Sequence, residues 1–176
     1  MPDVVDSAYR QAQPDLRVYV RWLRFLISPI LCDSDHMTDP RLRAGLLQIY
    51  EDLAQDLARL APVCDLSGRC CRFREFGHRL YISRTEAELL LEDGLPPDSI
   101  IDEAGCPFQK GQLCTAREKR PFGCRVYFCD PKYAGQAEIL SEQYLERLRA
   151  LHRETDTPWD YGELHLFLHE AVSKSD

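Results

Sequence analysis

The stretch TDPRLRAGLLQIYEDLAQDLARLAP, residues 38–62, predicts a long amphipathic helix. Thr38 or Asp39 can cap its N-terminus, and Pro40 suits the first helical position because its missing N–H is not needed there. Its apolar residues recur at steps of three and four and form one stripe: Leu42, Leu46, Ile49, Leu53, Leu57 and Leu60. We expect this helix to bury one face in a mainly α fold and to end by Pro62.

Further helices are predicted on both sides of this stretch. Upstream, DLRVYVRWLRFLISPIL (15–31) has helical periodicity that ends near Pro29. Downstream, AEILSEQYLERLRALHRE (137–154) and TPWDYGELHLFLHEAVSK (157–174) each place apolar residues on one face. The sequence therefore predicts a single mainly helical domain over residues 1–176, with N-terminal helices (15–61) and C-terminal helices (134–173).

The middle of the chain, residues 63–131, has a different texture, with short apolar runs between Gly, Pro and Cys. HRLYIS (78–83) predicts a short strand, and SRTE (83–86) predicts a capping box that opens a helix ending at Gly94. CPFQKGQLC (106–114) predicts a tight turn over Lys110 and Gly111 between two extended pieces. We expect a loop-rich, cysteine-rich insert with a few short strands, packed between the helices.

Charge and hydropathy disfavour nucleic acid and membranes as partners. The formal net charge of -7 disfavours broad electrostatic binding to nucleic acid or to an anionic membrane surface. No apolar run reaches the roughly 20 residues that span a bilayer, and the N-terminus lacks the pattern of a secretion signal. The sequence therefore predicts a cytoplasmic protein without membrane contact.

Seven of the eight cysteines lie in the insert: Cys64, Cys70, Cys71, Cys106, Cys114, Cys124 and Cys129. They could be disulfide partners, metal ligands or buried thiols. In a reducing cytoplasm, clustered cysteines are more often metal ligands or redox groups than structural disulfides. We therefore expect these seven to be metal ligands, whereas Cys32, outside the group, is expected to be a buried or spare thiol.

The cysteine spacing bears on the kind of metal. The chain has no CxxC unit, which disfavours a standard structural zinc finger, whereas iron–sulfur clusters tolerate wider spacing. Arginines flank the cysteines, and Arg120 and Arg125 are candidates for donating hydrogen bonds to the sulfur atoms around the metal. Their alternative role is ordinary salt bridging to Glu118 and Asp130. We expect an iron–sulfur cluster, with 4Fe–4S as one form and zinc as the second choice.

Three histidines are weaker candidates as ligands. His165 and His169 are four residues apart on a predicted helix, a spacing that can present two imidazoles to one metal. A polar outer face of an amphipathic helix explains them more simply. His78, close to Cys70 and Cys71, is the better outside candidate.

The ordered segments CDLSGRCC (64–71), CPFQKGQLC (106–114) and REKRPFGCRVYFC (117–129) resemble the YkgJ-type cysteine-cluster family, described as a zinc- or iron-chelating domain. The resemblance implies a metal-binding cluster held by the seven matching cysteines. A common form of the family has another cysteine shortly before the CC pair, where this chain has Ser67 and Gly68. The same pattern resembles the cysteine-rich part of flagellin lysine N-methylases, which implies an iron–sulfur cluster used with S-adenosylmethionine.

Three functions follow as expectations. The first is a cytoplasmic metal-binding protein whose cysteines hold an iron–sulfur cluster. The second is a cluster-dependent enzyme, either an S-adenosylmethionine-using protein methyltransferase with a protein substrate or a thiol redox enzyme. The third is a structural metal module that binds a protein partner. The sequence is compatible with all three.

Overall fold

Helices form most of the structure. A computed structural model describes residues 39–174, which lie within one compact unit, Asp35–Asp176. In chain order the elements are α1 (Pro40–Leu60), a 3-10 turn (Arg69–Cys71), α2 (Phe73–Phe76), β1 (Tyr81–Ser83), α3 (Arg84–Leu91), β2 (Gln109–Lys110), β3 (Leu113–Cys114), α4 (Phe122–Val126), α5 (Ala134–Glu154), β4 (Tyr161–Glu163) and α6 (Leu164–Ser173). The predicted mainly α class with a few short strands is confirmed. The helix predicted in 15–31 and Cys32 lie outside the described residues.

Helix α1 has the boundaries that the sequence predicted. The Asp39 side chain accepts a hydrogen bond from the Arg41 N–H, Pro40 follows the cap, and the helix ends at Ala61 in the left-handed region (φ 46°). Its buried stripe packs against α5 and α4. This first core cluster comprises Leu46, Ile49, Tyr50, Leu53, Leu89, Phe122, Val126, Tyr133, Leu140, Tyr144 and Leu148.

The C-terminal segment differs from the prediction. A helix was expected over 157–174, but residues 161–163 form β4, which pairs antiparallel with β1, and α6 begins only at Leu164. The Arg84 N–H donates to the Asp160 carbonyl at 2.9 Å and the Leu164 N–H donates to the Leu80 carbonyl at 2.9 Å. Backbone pairing with a distant strand therefore overrides the local helical periodicity.

Helix α3 begins with the predicted capping box. The Ser83 side chain accepts from the Glu86 N–H, and the Glu86 carboxylate accepts from the Ser83 N–H. The helix ends at Leu91, before the predicted stop at Gly94, which lies in a turn with φ 76°. Helices α3 and α6 enclose a second core cluster of Phe73, Ile82, Ala87, Leu90, Phe108, Leu164, Phe167 and Leu168.

Strands β2 and β3 form the predicted hairpin. Lys110 pairs with Leu113, so the turn residues are Gly111 and Gln112 rather than Lys110 and Gly111. Gly111 has φ 64°, a value that favours glycine because it has no Cβ. Within residues 39–174, no helix combines the length and apolar character needed to cross a membrane.

Candidate metal centre

Five cysteines line one small cavity beside the second core cluster. They are Cys70, Cys71, Cys106, Cys114 and Cys124. The cavity has a volume of about 20 Å³, and its other lining residues are Leu80, Leu90, Phe108, Arg120, Pro121 and Leu164. A volume of this size is about that of one small atom or water molecule. The fold thus gathers thiols from segments that lie far apart in the sequence.

The 3-10 turn presents the adjacent cysteines Cys70 and Cys71. Gly68 precedes it with φ 71°, a conformation that favours glycine, and a Cβ there would also lie 3.3 Å from the Gln112 Cα atom. The Arg72 guanidinium donates to the Ser67 carbonyl at 2.8 Å. The Gln109 side chain donates to the Gly68 carbonyl at 3.3 Å, so two side chains hold the loop before the turn.

A backbone hydrogen bond joins the two cysteine groups of the sequence. The Cys106 N–H donates to the Cys71 carbonyl at 2.8 Å. A Cβ at Gly105 would lie 3.0 Å from the same oxygen, so the two segments of backbone approach each other closely. Cys114 lies at the end of β3, and Cys124 lies within α4. Both line the same cavity as the other three cysteines.

Three thiols of the cavity, those of Cys70, Cys71 and Cys124, have raised pKa values. The Sγ atoms of Cys70 and Cys71 are 3.8 Å apart. A hydrogen bond with Cys106 is the main cause that raises the pKa of Cys71 to about 12, and a hydrogen bond with Cys71 followed by burial raises the pKa of Cys70. Burial raises the pKa of Cys124 well above its usual value, and the nearby Cys71 and Cys70 raise it further. Any metal bound here must displace protons from these thiols.

Arg120 and Arg125 occupy different places around this cavity. Arg120 lines it, and its positive charge acts to lower the pKa of Cys70 and of Cys124, against the larger opposing effects. Its buried Nε atom has no hydrogen-bond partner within the described part of the chain. A guanidinium N–H beside thiols is a suitable donor to a thiolate.

Arg125 instead stabilises the backbone that carries Arg120. Its Nε donates to the Arg120 carbonyl at 2.8 Å, and its Nη2 donates to the Glu118 carbonyl at 2.5 Å. The guanidinium carbon lies 4.1 Å from the centre of the Tyr50 ring. Burial lowers the pKa of Arg125. The Arg125 side chain therefore contacts backbone carbonyls and Tyr50 rather than sulfur, so any effect on the cysteines is indirect. The alternative salt bridge to Asp130 is not among the contacts that the structure describes for it.

Cys64 and Cys129 do not line the cavity. Cys64 is exposed, and the Cys129 sulfur lies 3.3 Å from the Ser67 hydroxyl. Val63 directly precedes Cys64, and Asp130 directly follows Cys129. The Val63 N–H donates to the Asp130 carboxylate at 3.3 Å, so this hydrogen bond joins the two segments that carry these cysteines. The seven predicted ligands thus separate into five inner thiols and two outer ones. Among residues 39–174, no group of three or more His, Cys, Asp or Glu side chains is arranged so that it could hold a metal ion.

The three histidines lie outside the cavity. The His78 Nε2 atom is 3.5 Å from the Cys70 carbonyl oxygen, and its ring stacks on Tyr127 with centroids 5.4 Å apart. The His165 Nδ1 atom is 3.5 Å from the Glu163 carboxylate, and the His165 and His169 rings meet edge to face at 6.4 Å. The His78 ring therefore contacts the backbone of Cys70 from outside the cavity.

Sequence reasoning missed a buried carboxylate that positions α4. Glu86 Oε1 accepts from the Tyr50 hydroxyl at 2.9 Å and from the Phe122 N–H at 2.8 Å, while Oε2 accepts from the Ser83 N–H and hydroxyl at 3.0 Å each. Burial raises the pKa of Glu86, and these hydrogen bonds oppose that effect. The capping box in the sequence signals the bonds to Ser83, but nothing local signals those to Tyr50 and Phe122. Through Phe122, Glu86 fixes the start of the helix that carries Cys124.

Comparison with known proteins finds no matching family model, no matching curated protein and no matching solved structure.

Proposed function

We propose that this chain is a metal-binding protein whose inner thiols hold an iron–sulfur cluster. The supporting observation is that five cysteines, from the 3-10 turn, the β2–β3 hairpin region and α4, line one cavity. Thiolate sulfur is the donor that iron–sulfur clusters and zinc prefer. Cys71 is buried, the other four are half-buried, and all five are free thiols.

The residues around the cavity fit the charge of such a centre. The ligands would come from Cys70, Cys71, Cys106, Cys114 and Cys124, and bound metal would keep these thiols deprotonated. Several thiolates around one centre leave excess negative charge, which Arg120 with its unpaired Nε could offset. The apolar side of the cavity would limit contact with water. A cluster bound there would supply one-electron redox chemistry or a site for substrate coordination.

Zinc is the second candidate, and the size of the cavity favours it. A volume of about 20 Å³ accommodates a single ion with little rearrangement, whereas a cluster of several atoms requires the loops to move apart. A zinc ion and an iron–sulfur cluster are each held by four thiolates, so five inner thiols suffice for either, and the irregular cysteine spacing without a CxxC unit is what favours the cluster. The two candidates therefore differ in iron and sulfide content, which is directly measurable.

The biological role rests on the sequence alone. Membership of the YkgJ-type family, a cytoplasmic location, and the enzyme and protein-module alternatives stay predictions from the sequence. S-adenosylmethionine also stays a prediction, because it rests only on the resemblance of the cysteine pattern to that of flagellin lysine N-methylases.

The test is anaerobic purification followed by analysis of iron, sulfide and zinc and by a visible spectrum. Iron and sulfide in equal amounts, with a broad visible absorption, would support the cluster. Stoichiometric zinc without sulfide would support the second candidate. Protein that stays metal-free after supply of iron with sulfide, and after supply of zinc, would overturn the proposal.

Matched variants separate the inner thiols from the outer ones. We expect Cys106→Ser with Cys114→Ser to lose most of the bound metal and Cys64→Ser with Cys129→Ser to retain it. Should the inner variant unfold, alkylation of the wild type gives a second measurement. Metal should protect the inner thiols from iodoacetamide, while Cys64, which is exposed, is labelled with or without metal. Equal labelling of all seven thiols in the metal-loaded protein would contradict the assignment.

A further inference from the structure

A second and larger depression adjoins the cysteine cavity. It lies among β1, α4 and α5, has a volume of about 650 Å³, and is named here the α4–α5 groove. Its volume falls within the roughly 300–1,000 Å³ range of small-molecule sites. Cys70 and Cys124 line both the groove and the cavity. A molecule in the groove would therefore lie next to two of the inner thiols.

Aromatic side chains form much of the lining of the α4–α5 groove. Tyr81 and Tyr127 are 43% and 37% exposed, so each presents part of its ring to the groove. Tyr127 is held by stacking on His78, and Tyr81 is held by stacking on Tyr161 at 6.1 Å. Rings fixed in this way offer flat apolar surfaces, and their faces also attract cations.

The charges at the groove are predominantly negative. Glu138 and Glu142 lie one turn apart on α5 and line the groove, and neither forms an ion pair in the described part of the chain. The positive charge of Arg79, which also lines the groove, is compensated by the Glu163 carboxylate at 2.5 Å. Two uncompensated carboxylates beside aromatic surface complement an organic cation rather than an anion.

We propose that the α4–α5 groove binds a small amphipathic amine. The apolar body of the ligand packs against the tyrosine rings, and its ammonium group lies near Glu138 and Glu142. Small size follows from the volume of the groove, and positive charge follows from the two unpaired carboxylates. That the ligand would meet a metal centre through Cys70 and Cys124 rests on the proposed function, whereas binding of the amine itself does not.

Three probes of similar size and different charge test the proposal. They are phenethylamine, 2-phenylethanol and 3-phenylpropionate, each titrated into ¹⁵N-labelled protein and followed by chemical-shift changes. We expect phenethylamine to bind roughly three- to tenfold more tightly than 2-phenylethanol, the factor that two exposed charge pairs contribute, and 3-phenylpropionate to bind most weakly. The largest shifts should fall in α4 and the first half of α5. Equal binding of the three probes, or shifts confined elsewhere, would overturn the proposal.

Variants on α5 supply the control. Glu138→Gln with Glu142→Gln should remove the preference for phenethylamine over 2-phenylethanol. Glu146→Gln should leave it unchanged, because Glu146 is an exposed carboxylate of the same helix that lies outside the groove and pairs with Arg153. Ser141→Trp, which fills the groove, should weaken binding of all three probes. A preference that survives in the Glu138 and Glu142 variant would count against the proposal.

Measurement on metal-free and metal-loaded protein keeps the two proposals separate. Metal content is determined directly for each sample, so a chain without metal contradicts the proposed function alone. Selective binding of phenethylamine to the metal-free chain supports the groove by itself. Absence of selective binding in both samples overturns the groove proposal and leaves the metal proposal intact.

Discussion

The Cys106 N–H donates to the Cys71 carbonyl oxygen at 2.8 Å, and this hydrogen bond joins two cysteine groups that 34 residues separate in the sequence. Gly105 lies directly before the donor, and a Cβ there would come within 3.0 Å of the same oxygen. The approach of the two groups therefore depends on a small residue at position 105.

Gly105→Ala is expected to shift the Cys71 carbonyl and weaken this hydrogen bond. The expected loss is about 1 kcal/mol in the free energy of unfolding, with a reduced metal content, because one backbone hydrogen bond contributes about that much. Gly135→Ala controls for the added methyl group, since no atom lies within 4 Å of a Cβ at that position in α5, and alanine there should raise stability by up to about 1 kcal/mol through its higher helix propensity. Urea denaturation and metal analysis check both variants. A Gly105→Ala protein as stable as the wild type would show that the loops adjust freely.

Glu86→Gln is expected to destabilise the metal-free protein by about 1–3 kcal/mol at neutral pH. Each carboxylate oxygen accepts two hydrogen bonds, and an amide group would turn an NH₂ towards two buried donors. Tyr50→Phe removes only one of these bonds and should cost about 1 kcal/mol. Urea denaturation measures both, and a smaller loss in Glu86→Gln than in Tyr50→Phe would contradict the role of Glu86 in fixing α4.

The same pair of proteins, wild type and Glu86→Gln, gives a pH dependence with a defined sign. Burial raises the pKa of Glu86 above its ordinary value of 4.5, so the folded state binds this proton more tightly than the unfolded state. The part of Glu86's contribution to stability that depends on its protonation is therefore complete below the ordinary value and is lost as the pH rises through the raised one, while the contribution of its hydrogen bonds is counted separately. The stability advantage of the wild type over Glu86→Gln should grow as the pH falls from 7 towards 4.5. An advantage that shrinks on acidification would mean that the hydrogen bonds outweigh burial.

Arg120 and Arg125 should behave differently when they are replaced. Arg125→Lys keeps the charge but loses the bonds to the carbonyls of Glu118 and Arg120, so the metal-free protein should lose about 1–3 kcal/mol in thermal or urea denaturation. Arg120→Gln should leave that stability nearly unchanged and lower the affinity for metal by about tenfold in a competition assay, as expected for a group that offsets charge. The reverse pattern would exchange the two roles.

Local signals in the sequence were sufficient for some elements and insufficient for others. The stripe of α1 and the Ser83–Glu86 capping box could be predicted, because each depends on residues within a few positions of one another. Strand β4 could not, because its conformation depends on pairing between Tyr161 and Ser83, which are far apart in the chain. Local periodicity favoured a helix there instead.

The candidate site shows the same limit. The sequence singled out seven cysteines, and the spacing could not tell which of them the loops turn inwards. That division depends on contacts such as Cys106 with Cys71 and Ser67 with Cys129, which form only in the folded chain. Arg125 sits beside Cys124 in the sequence, yet its side chain turns towards Tyr50 and two carbonyls. Adjacency in sequence therefore does not identify the neighbours of a sulfur.

Metal removal should loosen the cysteine loops and leave the α1–α5 core intact. The loops are joined by few backbone hydrogen bonds, such as that of Cys106, whereas α1 and α5 pack through the buried residues of the first core cluster, including Leu53 and Leu148. A metal at 100 times its dissociation constant stabilises the site by about 2.7 kcal/mol, so its removal should speed amide exchange at Cys71 and Cys106 by about a hundredfold. Hydrogen exchange read by mass spectrometry, with and without chelator, measures this. The amides of Leu53 and Leu148 serve as the internal control, because opening of the loops need not expose them. Equal acceleration at all four residues would mean that the loops and the helical core unfold as one unit.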